Sequence, residues 1–162
     1  MRKELRKELV TQLERQLKDS LPNFSRSKEG PLPSGSRLYS WKFSDEATLY
    51  LILIIPNRAM DDRFTVEFCW SRKHSFPYKL LPAISLEDPS KDEFCFRLPL
   101  LWHPSGPVEF WWQIAHPVEI TSAGFQIEPI DKAQKNIPSF VSEVISRINN
   151  DALPFFKRVL GQ

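Results

Sequence analysis

The apolar positions change their repeat twice along the chain. Up to residue 21 the repeat is four: Leu5, Leu9, Leu13, Leu17 and Leu21 recur, with Val10 beside them and Arg, Lys, Glu and Gln elsewhere. A four-residue step keeps these leucines on one slowly drifting stripe, which predicts a helix over residues 2–20 that must pack against something. The stripe is short and its acids and bases are mixed. That argues for a docked amphipathic helix rather than a coiled coil or a membrane-surface helix. Pro22 stops it.

From residue 37 the repeat is two. Residues 37–43 place Tyr39, Trp41 and Phe43 on one face and Leu38, Ser40 and Lys42 on the other. Residues 47–55 are apolar on both faces, the pattern of a central strand, and Ser44-Asp45-Glu46 is short enough for a hairpin between the two. Residues 63–71 point Phe64, Val66, Phe68 and Trp70 inward and Thr65, Glu67 and Cys69 outward. Residues 93–98 repeat the pattern with Phe94, Phe96 and Leu98, and residues 108–114 with Val108, Phe110, Trp112 and Ile114. Such alternation predicts an antiparallel sheet with one buried face.

Helical spacing returns with Phe140, Val141, Val144, Ile145 and Ile148. Asn136 is the expected N-cap, with Pro138 in the first turn. Asn149-Asn150-Asp151 is expected to end this helix, and Asp151 to cap a last one carrying Phe155, Phe156, Val159 and Leu160. The predicted fold class is α+β: an antiparallel sheet of four to five strands with N-terminal and C-terminal helices packed on one face, in one domain over residues 1–162.

Two connections stand out. Residues 22–36 are rich in Pro and Ser. Gly30 and Gly35 have the spacing of a phosphate loop, but Ser36-Arg37 follows where Lys-Ser/Thr is needed, and no strand precedes. Residues 72–92 are a long stretch without periodicity, and loops of that length are usually functional or disordered. Phe76, Tyr78, Leu80, Leu81, Ile84 and Leu86 argue that this one packs on the sheet or meets a partner. Trp102-His103-Pro104 begins a second rigid turn, and a Trp at such a tip is a typical interface anchor.

Composition supports a folded chain: 41% of the 162 residues are apolar and 26% charged. The net charge of +2 gives no large field for nucleic acid or membrane. Arg2-Lys3, Arg6-Lys7 and Arg72-Lys73-His74 each have acids nearby in sequence, so a nucleic-acid partner is not expected, and neither is a membrane partner. The start of the chain lacks the apolar run of a signal peptide, and no run approaches the roughly 20 apolar residues of a membrane span. A cytoplasmic location is the expectation. Cys69 and Cys95 are too few for a disulfide framework and are expected as packed free thiols.

Candidate chemistry is sparse. His74, His103 and His116 form no helical pair, and no cysteine pair has zinc spacing, so neither metal nor cofactor is predicted. No nucleophile elbow occurs, and no catalytic residue is assigned. Glu87, Asp88, Asp92 and Glu93 cluster in a Pro-containing loop and read as solvated.

Arg97-Leu98-x-Leu100, then Trp111-Trp112-x-Ile114, then Ala152-Leu153-Pro154-Phe155-Phe156-Lys157-Arg158 run in a familiar order. This layout resembles the bacterial family called domain of unknown function 4304, in which an N-terminal helix and an antiparallel sheet precede a C-terminal helix with a Gly-Leu-Pro-Trp-type motif. Here Ala152 stands at the glycine position and Phe155 at the tryptophan position. The resemblance implies the α+β layout and no particular activity.

These readings converge on a non-enzymatic protein-binding domain, of the bacterial immunity or accessory type, that neutralises a protein partner. Arg72, His74, Phe76, Tyr78, Trp102 and His103 are its candidate partner-binding residues. The alternative is a small-molecule-processing enzyme with a cleft under the 72–92 loop, drawing on Arg72, His74, Arg97, His103 and the acidic cluster.

Overall fold

The computed structural model describes residues 1–32, 34–56, 61–102, 111–121 and 124–161. Helix α1 (Lys3–Ser20) buries the predicted stripe, Leu5, Leu9, Leu13 and Leu17. Its first residue is preceded by Arg2, which cannot cap it. Asp62 does this from another segment: the Arg2 backbone N–H donates to Asp62 Oδ1 at 2.7 Å and the Arg2 Nε to Oδ2 at 2.6 Å. The Asp62 side chain is fully buried, so these bonds to a charged acceptor satisfy both partners where water cannot.

Among the described residues the main sheet has six strands. β1 (Ser25–Ser27), β2 (Arg37–Lys42), β3 (Thr48–Ile54), β4 (Arg63–Ser71) and β5 (Glu93–Arg97) lie in that order, all antiparallel, and β6 (Trp112–Gln113) pairs with the start of β4. β7 (Pro117–Thr121) and β8 (Gly124–Ile127) form a separate hairpin. The predicted antiparallel α+β class is the observed one, with one strand more in the sheet than expected. β1 has only three polar residues and so no alternation to read. Of the strand expected over residues 108–114, Val108 and Phe110 lie outside the described residues; Trp112 stacks on Phe64 with ring centroids 5.2 Å apart.

The C-terminal part holds α2 (Ile130–Ala133), α3 (Ile137–Arg147) and α4 (Leu153–Leu160). Two local expectations are corrected. Asn136 is itself helical and makes no cap; its Nδ2 donates to the Ile114 carbonyl at 3.0 Å instead. The chain does not break at Asn149-Asn150-Asp151. It runs on through a π-helical turn, Ile148–Ala152, and Asp151 pairs with Arg147 at 3.0 Å rather than capping α4. Pro154 has no N–H to offer the Asn150 carbonyl, and a wider turn passes that gap without ending the helix.

The helices cover one face of the sheet, as the amphipathic stripes require. Trp70, Phe94 and Phe96 meet Phe155 and Phe156 there, with Trp70 and Phe156 centroids 5.5 Å apart. The second face departs from expectation. Thr65 and Glu67, read as outward and therefore solvent-facing, are buried, and so is Cys69, in line with its expected packing. Segments from both long connections lie over them: Leu32 and Phe76 pack with Leu38, Tyr50, Ile52, Cys69 and Cys95 in a second, smaller core. β3 sits between these layers, which is why it is apolar on both faces.

The cysteines are corrected too. Cys69 and Cys95 face each other across β4 and β5, with Cα atoms 4.1 Å apart, and are joined as a disulfide. Sequence separation hid a pairing that the strand register creates.

Candidate functional site

The second face carries a groove. Its floor is Ile52 and Ile54 from β3, Glu67 from β4 and Cys95 from β5; its walls are Pro31 and Leu32 on one side and Phe76, Pro77, Tyr78, Leu80 and Leu81 on the other, around about 250 Å³. Strand register explains the floor. Leu38, Ile52, Glu67 and Arg97 stand in one cross-strand row, and Tyr50, Cys69 and Cys95 in the next.

The walls are held by specific polar contacts. The Glu29 carboxylate accepts the Phe76 backbone N–H at 3.1 Å and the Tyr50 hydroxyl at 3.4 Å, clamping the two irregular segments together. Burial, helped by the Glu29 charge, raises the Tyr50 hydroxyl well above its ordinary value, so it stays a donor. Gly30 has φ +69, and a Cβ there would stand 2.7 Å from the Phe76 ring, so only glycine permits this approach. Phe76 also packs on Tyr50, with centroids 5.4 Å apart. The Ala83 N–H donates to the Cys95 carbonyl at 2.7 Å, pinning the far wall to the edge of β5.

Glu67 is the one ionisable group on the floor. Burial pushes its carboxyl above the ordinary range, while Arg97, with Nε 3.7 Å from Oε1, pulls the other way. Its Oε2 lies 4.0 Å from the Cys95 sulfur. At this end of the groove the guanidinium carbons of Arg63 and Arg97 lie 4.7 and 5.7 Å from the Trp111 ring centroid, a cation–π pair on one indole.

The candidate residues fall in different places. Phe76 and Tyr78 form the groove wall; Phe76 is almost entirely buried and Tyr78 is 54% exposed. Arg72 and His74 staple a turn beyond the end of β4. Arg72 Nη2 is 3.7 Å from a Glu46 carboxylate oxygen, and His74 bridges the Thr48 hydroxyl at 3.0 Å and the Asp45 carbonyl at 2.8 Å. His74 adopts φ 53, so these contacts hold it in a left-handed turn. Trp102 is on the helix side, under the Arg147 guanidinium at 4.4 Å and 6.2 Å from Trp112. His103 lies outside the described residues.

Among the described residues, Arg97 stands apart from the other groups invoked for an enzyme, while Arg72, whose backbone N–H donates to the Asp92 carbonyl at 2.8 Å, lies beside the acidic cluster. Arg97 pairs with Glu67 while Arg72 adjoins the Ser71–Glu93 pair, four residues along the strand and so about 13 Å away. Glu87, Asp88 and Asp92 are exposed. Among the described residues no cluster of His, Cys, Asp and Glu fits a metal ion, and no helix is long and apolar enough to cross a membrane. Sequence reasoning missed Glu67 as a site residue. The signal available was its place on a strand beside β3, whose apolar character on both sides means that the adjacent strand's polar positions are covered as well.

No family model matches the chain, and no curated protein or solved structure matches it significantly.

Proposed function

We propose that this protein binds a partner protein, taking an extended apolar segment of it in the groove on the second face of the sheet. One observation carries the reading. Among the described residues the exposed large apolar side chains are Tyr78, Leu80, Leu81 and Ile84, at 54%, 41%, 83% and 70% exposure, and all four lie in one seven-residue stretch beside the groove. Scattered exposed leucines are ordinary, whereas a contiguous apolar patch marks a place where something docks. The rim is aliphatic and aromatic, so the fitting occupant presents apolar side chains. The walls are fixed by Gly30, the Glu29 clamp and two prolines, Pro31 and Pro77, so little entropy is lost on binding.

The test is a photo-crosslinking amino acid at Ser85, beside the patch, in host extract, followed by reconstitution with the captured protein. Leu81→Ser with Ile84→Ser should weaken the reconstituted complex about tenfold or more, and Arg6→Gln on the opposite face should not. Unchanged affinity in the double variant overturns the reading. So does sedimentation showing that the patch joins two copies of this chain.

The enzyme alternative retains one supporting feature, the buried Glu67 with its raised proton affinity in a groove. It requires turnover that Glu67→Gln abolishes while leaving partner binding intact.

A further inference from the structure

On the opposite side of the sheet from the groove, the first two turns of α1 meet the start of β2. Lys3, Arg6 and Lys7 are three and four residues apart and share one helix face. With Arg37, Val10 and Thr11 they line a cavity of about 380 Å³. The ion pairs among the described residues engage none of these four cations. Arg6 and Arg37 each bury a guanidinium Nε that has no hydrogen-bond acceptor. One end of Arg37 is fixed, its Nη1 donating to the Ser36 carbonyl at 2.9 Å and lying 3.4 Å from that of Gly35. Gly35 has φ +91, and a Cβ there would stand 3.1 Å from Arg6 Nη1, so the absent side chain lets the Arg6 guanidinium lie against the turn.

Among the described residues the nearby acids form no ion pair with these bases. Glu8 accepts the Gln12 side-chain amide at 2.7 Å, and Glu14 accepts the Tyr39 hydroxyl at 3.3 Å. Glu4 is exposed. Folding does not ask for such a cluster. Lys3 and Lys7 repel at i,i+4, cations at a helix start oppose its dipole, and Arg37 adds a further charge from the sheet. Arg2, beside them, is paired with the buried Asp62.

We propose that this cavity binds a compact polyanion carrying two or more phosphate groups, such as inorganic polyphosphate or a multiply phosphorylated small molecule. Two guanidiniums offer planar donor forks that match phosphate oxygens, and two lysines add point charges around them. One singly charged anion leaves most of that charge unanswered. A single-strand site combines its cations with stacking aromatics, and the aromatic residues lining the adjoining cavity between α1 and the sheet, Phe24 and Tyr39, are buried.

The test is calorimetric titration of the full chain with sodium tripolyphosphate, with orthophosphate, inositol hexakisphosphate and a single-stranded oligonucleotide as further arms. Saturable one-site binding of tripolyphosphate is expected, tighter than orthophosphate and weakening from about 50 to 200 mM salt. Preference for inositol hexakisphosphate over tripolyphosphate would identify the organic source and the reverse the inorganic one; either supports the proposal. Arg6→Gln and Lys7→Gln should each weaken binding, the first about tenfold or more, while Lys132→Gln should not. Thermal melts establish that the variants are folded; Arg6→Gln is expected to melt no lower than the parent. Absence of saturable tripolyphosphate binding, or affinity unaffected by Arg6→Gln, overturns the proposal. So does an oligonucleotide that binds more tightly than tripolyphosphate and gains affinity with length.

Discussion

The two faces of the main sheet are covered in different ways. On one, α1, α3 and α4 lay regular apolar stripes over Phe68, Trp70, Phe94 and Phe96, and the result is a continuous aromatic and aliphatic core. On the other, pieces of two irregular segments lie over Leu38, Tyr50, Ile52 and the cysteine pair, and a carboxylate, a hydroxyl and an open groove remain among them. Helices bring many side chains per turn to a surface and satisfy their own backbone. An irregular strap brings few, and each must be tied down by side chains, as Glu29 ties Phe76. The helix face therefore carries the larger continuous core, and the strapped face carries a smaller core and the groove.

That division is open to attack first through its largest expected effect. Trp70→Ala, on the helix face, removes a fully buried ring that touches Phe94, Phe96, Phe155 and Phe156. It should cost about 3–5 kcal/mol, read from urea unfolding. A loss below about 1 kcal/mol would mean the helix face is not the main core.

Reduction of the Cys69–Cys95 bond comes next. It closes a loop between residues 26 apart in sequence, and cross-links of that span contribute about 2–4 kcal/mol by constraining the unfolded chain. Protein purified without reductant and then unfolded should expose no free thiol to a thiol reagent, and excess dithiothreitol should lower the melting temperature. Two titratable thiols in the protein as purified would return the pair to the state expected from sequence.

The comparison also explains what was legible. The helix face was readable because both of its partners are periodic: the four-residue leucine repeat and the alternating aromatics of β2 to β5 predict each other. Strand bounds over residues 37–42, 48–54, 63–71 and 93–97 follow almost directly. The strapped face was not readable. Residues 28–36 and 72–92 have no period, so nothing in them states which sheet positions they cover. Thr65 and Glu67 consequently looked solvent-facing, and Glu67 was overlooked. The aromatic and basic positions at 72–78 were singled out, but Arg72 and His74 serve as ties whose partners, Glu46, Thr48 and Asp45, lie more than twenty residues earlier. The helix continuing past residue 149 was missed because Asn-Asn-Asp followed by Pro imitates a stop.

Glu67 sharpens the difference by titration. Burial raises its carboxyl above the ordinary value of 4.5. Between that value and the raised one, the unfolded chain has released this proton while the folded chain still holds it. Unfolding then releases a proton, and this contribution to stability falls as pH rises through the window. Glu67→Gln is neutral throughout and keeps a carbonyl oxygen for Arg97. Its stability relative to the parent should therefore rise from about pH 4 upward and then level off, measured as the difference in urea midpoints. A difference that does not change with pH would mean that the groove floor is as wet as ordinary surface.

The smallest effect on stability should come from Leu81→Ser with Ile84→Ser. These side chains are 83% and 70% exposed, so the folded state gains little from them. Each substitution should move stability by no more than about 0.5 kcal/mol, against the several expected at Trp70. The same pair should remove most of the affinity for the proposed partner. Stability loss comparable with that at Trp70 would mean that the patch packs on the protein itself. The strapped face would then be a second core and not a docking surface, and the contrast between the faces would be one of regularity alone.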